Sequence, residues 1–162
     1  MIILGLDPGL ATTGYGIIEY TGNKHRLLKY SVIITAPKQP LSTRILQIYD
    51  ACIKILDQYS PDHVAIESLF FSVNTKTALL VAQARGALLL SAELKKRPIF
   101  DYTPPQVKLA VCGYGGATKQ QIQYMTKQLL NLDHTPKPDD AADALGVAIC
   151  HAHSYSHHVQ KI

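Results

Sequence analysis

The chain opens with MIILGLDPGLATTGYG, in which an apolar run from Ile2 to Leu6 delivers a single carboxylate, Asp7, into a glycine-rich turn. A continuous apolar run of this length reads as a strand buried on both faces. A carboxylate at the end of such a strand loses hydration that nothing apolar replaces. The fold must therefore bring a compensating group to Asp7, and a divalent cation is one such group. Pro8 and Gly9 end the strand, and Gly14 and Gly16 lie in a second apolar segment, Gly14 to Tyr20. Together they predict a hairpin with little side-chain bulk near Asp7 and space for a phosphate or a metal. An Asp ahead of Pro-Gly is also an ordinary turn-former that bonds its own backbone, so both readings stand until the rest of the chain is read.

Beyond the turn residues Thr21-Gly22-Asn23, Leu27 to Thr35 returns as a third strand and completes a meander. After Pro37 to Pro40, apolar residues from Leu41 to Tyr59 recur at helical spacing, which predicts a helix covering the sheet. His63 to Glu67 (HVAIE) is a fourth strand that again ends on a carboxylate, followed by a loop carrying Phe70 and Phe71. Thr75 to Lys96 reads as a long helix, apolar nearly all round. Such a helix is buried on several sides, either at the centre of a monomer or against a second copy in a homodimer. Ile99 to Thr103 forms a fifth strand, and Pro104-Pro105 starts a short helix through Val111. Thr118 and Gln121 make a capping box for a helix to about Leu130, and a last helix, Pro138 to Cys150, opens with carboxylates. The four His of residues 151–162 have a bland reading as a polar terminus. The expected organisation is one domain over 1–152 and a flexible His-rich tail over 153–162.

A chain of 162 residues with 47% hydrophobic content supports one well-buried domain. The net charge of +4 is compatible with a nucleic-acid partner. Cys52, Cys112 and Cys150 are widely spaced with no CxxC, which argues against a disulfide framework and a zinc site and favours a reducing interior. With no basic leader and no stretch judged long enough to span a membrane, the expectation is a soluble, cytoplasmic protein with no membrane partner.

Four carboxylates then stand out. Asp7 and Glu67 end strands, while Asp140 and Asp143 lie three residues apart in the last helix. On a helix that spacing puts both on one face with Cβ atoms about 5–6 Å apart. Capping and the helix dipole would account for one acid there more easily than for two. Ligation by oxygen alone points to a hard cation such as Mg²⁺ or Mn²⁺. Two ions about 3.5–4 Å apart are suited to phosphodiester hydrolysis.

The motifs LGLDPGLATTGYG, AIESLFF followed by VAQARGALL, YTPPQVKLAVCGYG with a Lys-bearing helix after it, and DDAADALGVAI occur in that order. Over nearly the whole chain they resemble the RuvC family of bacterial Holliday-junction resolvases. The resemblance implies an α/β ribonuclease-H-like fold, with a five-stranded mixed sheet flanked by helices, working as a homodimer. It implies an endonuclease of recombination and DNA repair that cuts two opposed strands of a four-way DNA junction symmetrically. Two Mg²⁺ ions per site, with Mn²⁺ able to substitute, would be held by the catalytic acids Asp7, Glu67, Asp140 and Asp143; Asp139 falls off the motif. Phe70 takes the position of an aromatic that stacks on junction bases. Lys108 and Lys119 match basic positions near the scissile phosphate, Lys119 with a share in catalysis. The implied partners are the junction and a branch-migration complex of a junction-binding tetramer and a ring ATPase. The first hairpin also resembles the phosphate-binding hairpin of actin-like ATPases and sugar kinases, which need a second similar domain. A junction-binding scaffold without catalysis would show an incomplete acid set, and all four acids are present.

Overall fold

The computed structural model describes residues 1–68 and 75–159. The apolar run Ile2–Asp7 is strand β1, and it occupies the centre of a five-stranded sheet. Strand β2 (Thr12–Thr21) folds back antiparallel on β1, and β3 (Lys24–Ile34) pairs antiparallel with β2. On the other side β4 (His63–Glu67) runs parallel to β1, and β5 (Ile99–Tyr102) runs parallel to β4. The order β3-β2-β1-β4-β5 makes the sheet mixed, as the resemblance implies. Ile3, Leu4 and Leu6 are fully buried because helices cover both faces. Helices α1 (Leu41–Tyr59) and α2 (Thr75–Leu94) cover the face that carries Leu4, Leu6 and Ile66. Helices α3 (Pro104–Cys112), α4 (Lys119–Leu129) and α5 (Asp139–Val159) belong to the opposite face, with Ile3, Ala65 and Tyr102.

The glycines of the first hairpin form a seat for α5. A Cβ at Gly14 would stand 1.9 Å from the Asp140 carbonyl oxygen, and one at Gly5 would stand 2.1 Å from that of Ala144. From the helix side, Ala141, Ala144 and Ala148 are fully buried. Part of the room expected beside Asp7 is therefore filled by the first turn of α5, since Gly14 is the β-partner of Asp7.

Several boundaries differ from the sequence expectation. Strands β2 and β3 extend to a two-residue turn, Gly22-Asn23, whose positive φ values of 55° and 63° match the twist of a tight hairpin. Helix α5 runs through residue 152 to Val159, so residues 153–159 are helical where a flexible tail was expected. His151 explains the continuation. It is fully buried, with Nε2 2.8 Å from His63 Nδ1 and Nδ1 2.8 Å from the Tyr102 hydroxyl. His153 Nδ1 lies 3.0 Å from the Ala110 carbonyl oxygen, tying the next turn to α3.

Helix α2 buries Ala84, Leu88 and Ala92 but leaves Leu79 65%, Leu90 54% and Leu94 57% exposed. By length and composition its Thr77–Leu94 segment is sufficient to cross a membrane, contrary to the expectation that no stretch reaches that length. In this fold the segment packs against α1.

Because two backbones meet at Gly5, Gly5→Ala should destabilise the protein by about 1–3 kcal/mol or more through overpacking. Urea unfolding measures this, and a wild-type midpoint would show that α5 can move aside without cost.

Candidate active site

Adjacent parallel strands bring the first two acids together. Leu6 pairs with Ile66, so Asp7 and Glu67 leave the sheet side by side, and their carboxyl groups share a hydrogen bond. The seat under α5 then carries Asp140 and Asp143 to the same end of β1. Burial, followed by the charges of Glu67, Asp143 and Asp140, pushes the Asp7 carboxyl up to about 8. Burial and Asp143 also raise Glu67, whereas the hydrogen bond from Asp7 opposes that rise. Each of these influences favours the neutral form of Asp7 beside Glu67. Asp143 is raised as well, first by burial, against the opposing influence of Lys119.

Both lysines expected at the scissile phosphate reach this cluster. A cleft of about 200 Å³ is lined by Glu67, Pro104, Val107, Lys108, Lys119, Ile122 and Asp143. Lys108 comes from α3 and Lys119 from the first residue of α4, and a capping box defines the start of each helix. Gln106 Oε1 accepts from the Thr103 backbone N–H at 2.8 Å. Thr118 Oγ1 accepts from the Gln121 N–H at 3.3 Å, while Gln121 Oε1 accepts from the Thr118 N–H at 2.8 Å. These boxes satisfy helix-start donors that the chain would otherwise leave open.

Lys119 Nζ lies 3.2 Å from Asp143 Oδ2 and 3.3 Å from Asp139 Oδ2. Burial works against its charge, but Asp143 and Asp139 more than offset this, and its ammonium is held above the usual lysine range. Asp139, off the family motif, is thus part of the local charge network. Its Oδ1 accepts from Gln123 Nε2 at 2.9 Å and from Lys137 Nζ at 2.7 Å. Hydrogen bonds from Lys137, Lys119 and Gln123 pull Asp139 down to about 2. The only sequence signal for this role was Lys137 two residues earlier; Gln123 lies on another helix. Phe70, with its neighbour Phe71, lies outside the described residues.

Asp7, Glu67, Asp140 and Asp143 form an all-oxygen donor set, which suits a hard cation such as Mg²⁺. Among the described residues, no three His, Cys, Asp or Glu side chains are close enough to grip one ion in the arrangement seen. The hydrogen bond between Asp7 and Glu67 and the Lys119 ammonium on Asp143 ease part of the repulsion in the cluster. The donor chemistry fits a divalent cation.

A family model described as "Crossover junction endodeoxyribonuclease RuvC" matches residues 3–151. The protein of that name from Alkaliphilus oremlandii is 57% identical over 154 residues, covering 95% of this chain and 94% of its own. Its counterpart from Alkaliphilus metalliredigens is 53% identical over 154 residues, with the same coverage of 95% and 94%. Among solved structures, Thermus thermophilus RuvC in complex with a Holliday junction substrate superposes with a TM-score of 0.94 at 34% identity. That match covers 98% of this chain and 96% of the other.

The raised Asp7 group sets a pH dependence. Its folded value of about 8 exceeds the ordinary 3.8, so the folded state retains a proton that the unfolded chain gives up first. The stability it contributes is fully present below about pH 4 and is lost as pH rises to about 8. Without divalent cations, the melting temperature of Asp7→Asn should lack this component of decline, and Mg²⁺ should stabilise the wild type most at the alkaline end. Identical pH profiles for the two proteins would assign the retained proton to another group.

Proposed function

The chain belongs to the RuvC family of crossover junction endodeoxyribonucleases, and from that membership we propose how its residues carry out the cleavage. It is a structure-selective endonuclease that resolves four-way DNA junctions in recombination and repair. The observation that carries the mechanism is one cleft in which Glu67 and Asp143 stand beside Lys108 and Lys119, with Asp7 hydrogen-bonded to Glu67.

Asp7, Glu67, Asp140 and Asp143 would hold two Mg²⁺ ions, for which Mn²⁺ would substitute. When bound, such a pair activates water on one side of a phosphodiester and stabilises the leaving oxygen on the other. Lys119 and Lys108 border the same cleft and grip non-bridging phosphate oxygens there, with Lys119 stabilising charge that develops during cleavage. Phe70, three residues after Glu67 in sequence, stacks on bases at the branch point.

Paired incision follows from a homodimer. The support is the apolar surface that α2 leaves bare at Leu79, Leu90 and Leu94, together with the groove of about 710 Å³ between α1 and α2. A two-fold axis gives two identical sites that cut opposed strands symmetrically. In this reading the dimer acts in the cytoplasm alongside a branch-migration complex of a junction-binding tetramer and a ring ATPase.

The test is a labelled synthetic four-way junction beside a duplex of the same arm sequence, with and without Mg²⁺. Symmetric Mg²⁺-dependent nicks confined to the junction are expected; equal cutting of the duplex would remove the structure selectivity. Asp143→Asn should reduce cleavage to background while sparing or tightening junction binding, because it removes a negative charge facing phosphate. Parallel loss of binding would count against its role as a ligand. Phe70→Ala should slow cleavage more than it weakens binding, and an unchanged rate would exclude stacking at that position.

A further inference from the structure

Asp139 contacts Lys119, a residue of the cleft, yet the mechanism above gives it no part. Its two oxygens have divided tasks. Oδ1 is held by Gln123 at 2.9 Å and Lys137 at 2.7 Å, which leaves Oδ2 facing Lys119 Nζ at 3.3 Å. Lys119 and Gln123 lie four residues apart on α4, on one face of the helix. The Asp139 carboxylate thus reaches from the start of α5 to that face of α4, with Lys137 on another side.

We propose that Asp139 is a positioning residue for Lys119, a standing anchor that keeps the ammonium at the cleft once Asp143 is committed to a cation. The inference rests on the preceding reading of Asp143 as a ligand and Lys119 as a phosphate contact. In the arrangement seen, the ammonium bridges two carboxylates at nearly equal distances, 3.2 Å to Asp143 and 3.3 Å to Asp139. A divalent cation on Asp143 would place two positive charges on one carboxylate, and that half of the bridge would become repulsive. A lysine is a point charge on a flexible stem, so without a second anchor it would leave for solvent. Asp139 is fitted to be that anchor because its orientation is set by groups outside the acid cluster. Gln123 is itself buried, at 8% exposure, which gives the clamp a rigid base. A carboxylate that served only the α5 helix dipole would need neither the Gln123 contact nor the approach to Lys119.

The test uses Asp139→Asn, which preserves size and the ability to accept from Gln123 but removes the charge facing Lys119. Lys119 reactivity is read by trace acetylation of the whole protein and peptide mass spectrometry, with and without Mg²⁺. In the wild type, labelling should change less than about twofold on adding Mg²⁺. In Asp139→Asn it should rise severalfold with Mg²⁺ and stay slow without it, because Asp143 still holds the ammonium. Labelling of Asp139→Asn that does not respond to Mg²⁺ would overturn the proposal. Engagement of Asp143 by Mg²⁺ is read separately, from loss of the Mg²⁺-induced rise in melting temperature in Asp143→Asn, so failure of the ligand reading is distinguishable.

Single-turnover junction cleavage supplies the second arm. Asp139→Asn should cut severalfold more slowly at saturating Mg²⁺ with unchanged junction affinity, and should add no loss to Lys119→Met. Additive losses would show that Asp139 acts independently of Lys119 and would overturn the anchor. Wild-type cleavage by Lys119→Met would instead remove the catalytic role proposed for that lysine.

Discussion

The contact between α5 and the glycine-lined floor of β1 and β2 governs the geometry of everything that follows. Side chains normally hold a helix away from a sheet, but here Gly5 and Gly14 face a helix whose inner side carries Ala141, Ala144 and Ala148. The two backbones therefore come within reach of each other. Gly14 is also the β-partner of Asp7, and a Cβ on it would collide with the carbonyl of Asp140. The absence of two or three methyl groups is what joins a strand-end acid to a helix-start acid.

Joining them creates an electrostatic conflict within the protein. Burial and neighbouring carboxylates oppose ionisation of Asp7, Glu67 and Asp143, and Lys119 sets an ammonium against Asp143. A lysine on its flexible stem can swing away. Such a cluster would be a poor choice for stability alone. The surrounding helices and sheet supply the rigidity that keeps the acids from relaxing apart.

The two faces of the sheet divide the work. The face under α3, α4 and α5 carries the acids, both lysines and the caps that start α3 and α4. The face under α1 and α2 is apolar within and remains apolar at its outer surface, at Leu46, Leu79 and Leu90. Surface suited to association is thus kept apart from the acid cluster, so burying it need not disturb the charges that meet at the strand ends.

Much of this was legible along the chain. The apolar runs ending on Asp7 and Glu67, the three-residue spacing of Asp140 and Asp143, and the Thr118–Gln121 capping box each depend on neighbours within a few residues, where local geometry decides the outcome. The bounds of α1 follow from apolar periodicity in the same way. The start of β3 was harder to place, because a polar edge segment gains its strand from pairing with β2 rather than from its own pattern. A histidine-rich end likewise resembles a solvated tail until His63 and Tyr102, brought from two other strands, satisfy His151 inside the core. Asp139 falls off the motif, since its contacts lie with Gln123 and Lys119, sixteen and twenty residues away on α4. The sequence by itself determined which acids end which elements, since periodicity and capping are local. Only the tertiary structure decided which side chains would share a hydrogen bond, hold a lysine or become core, because those outcomes depend on distances between segments that no local pattern encodes.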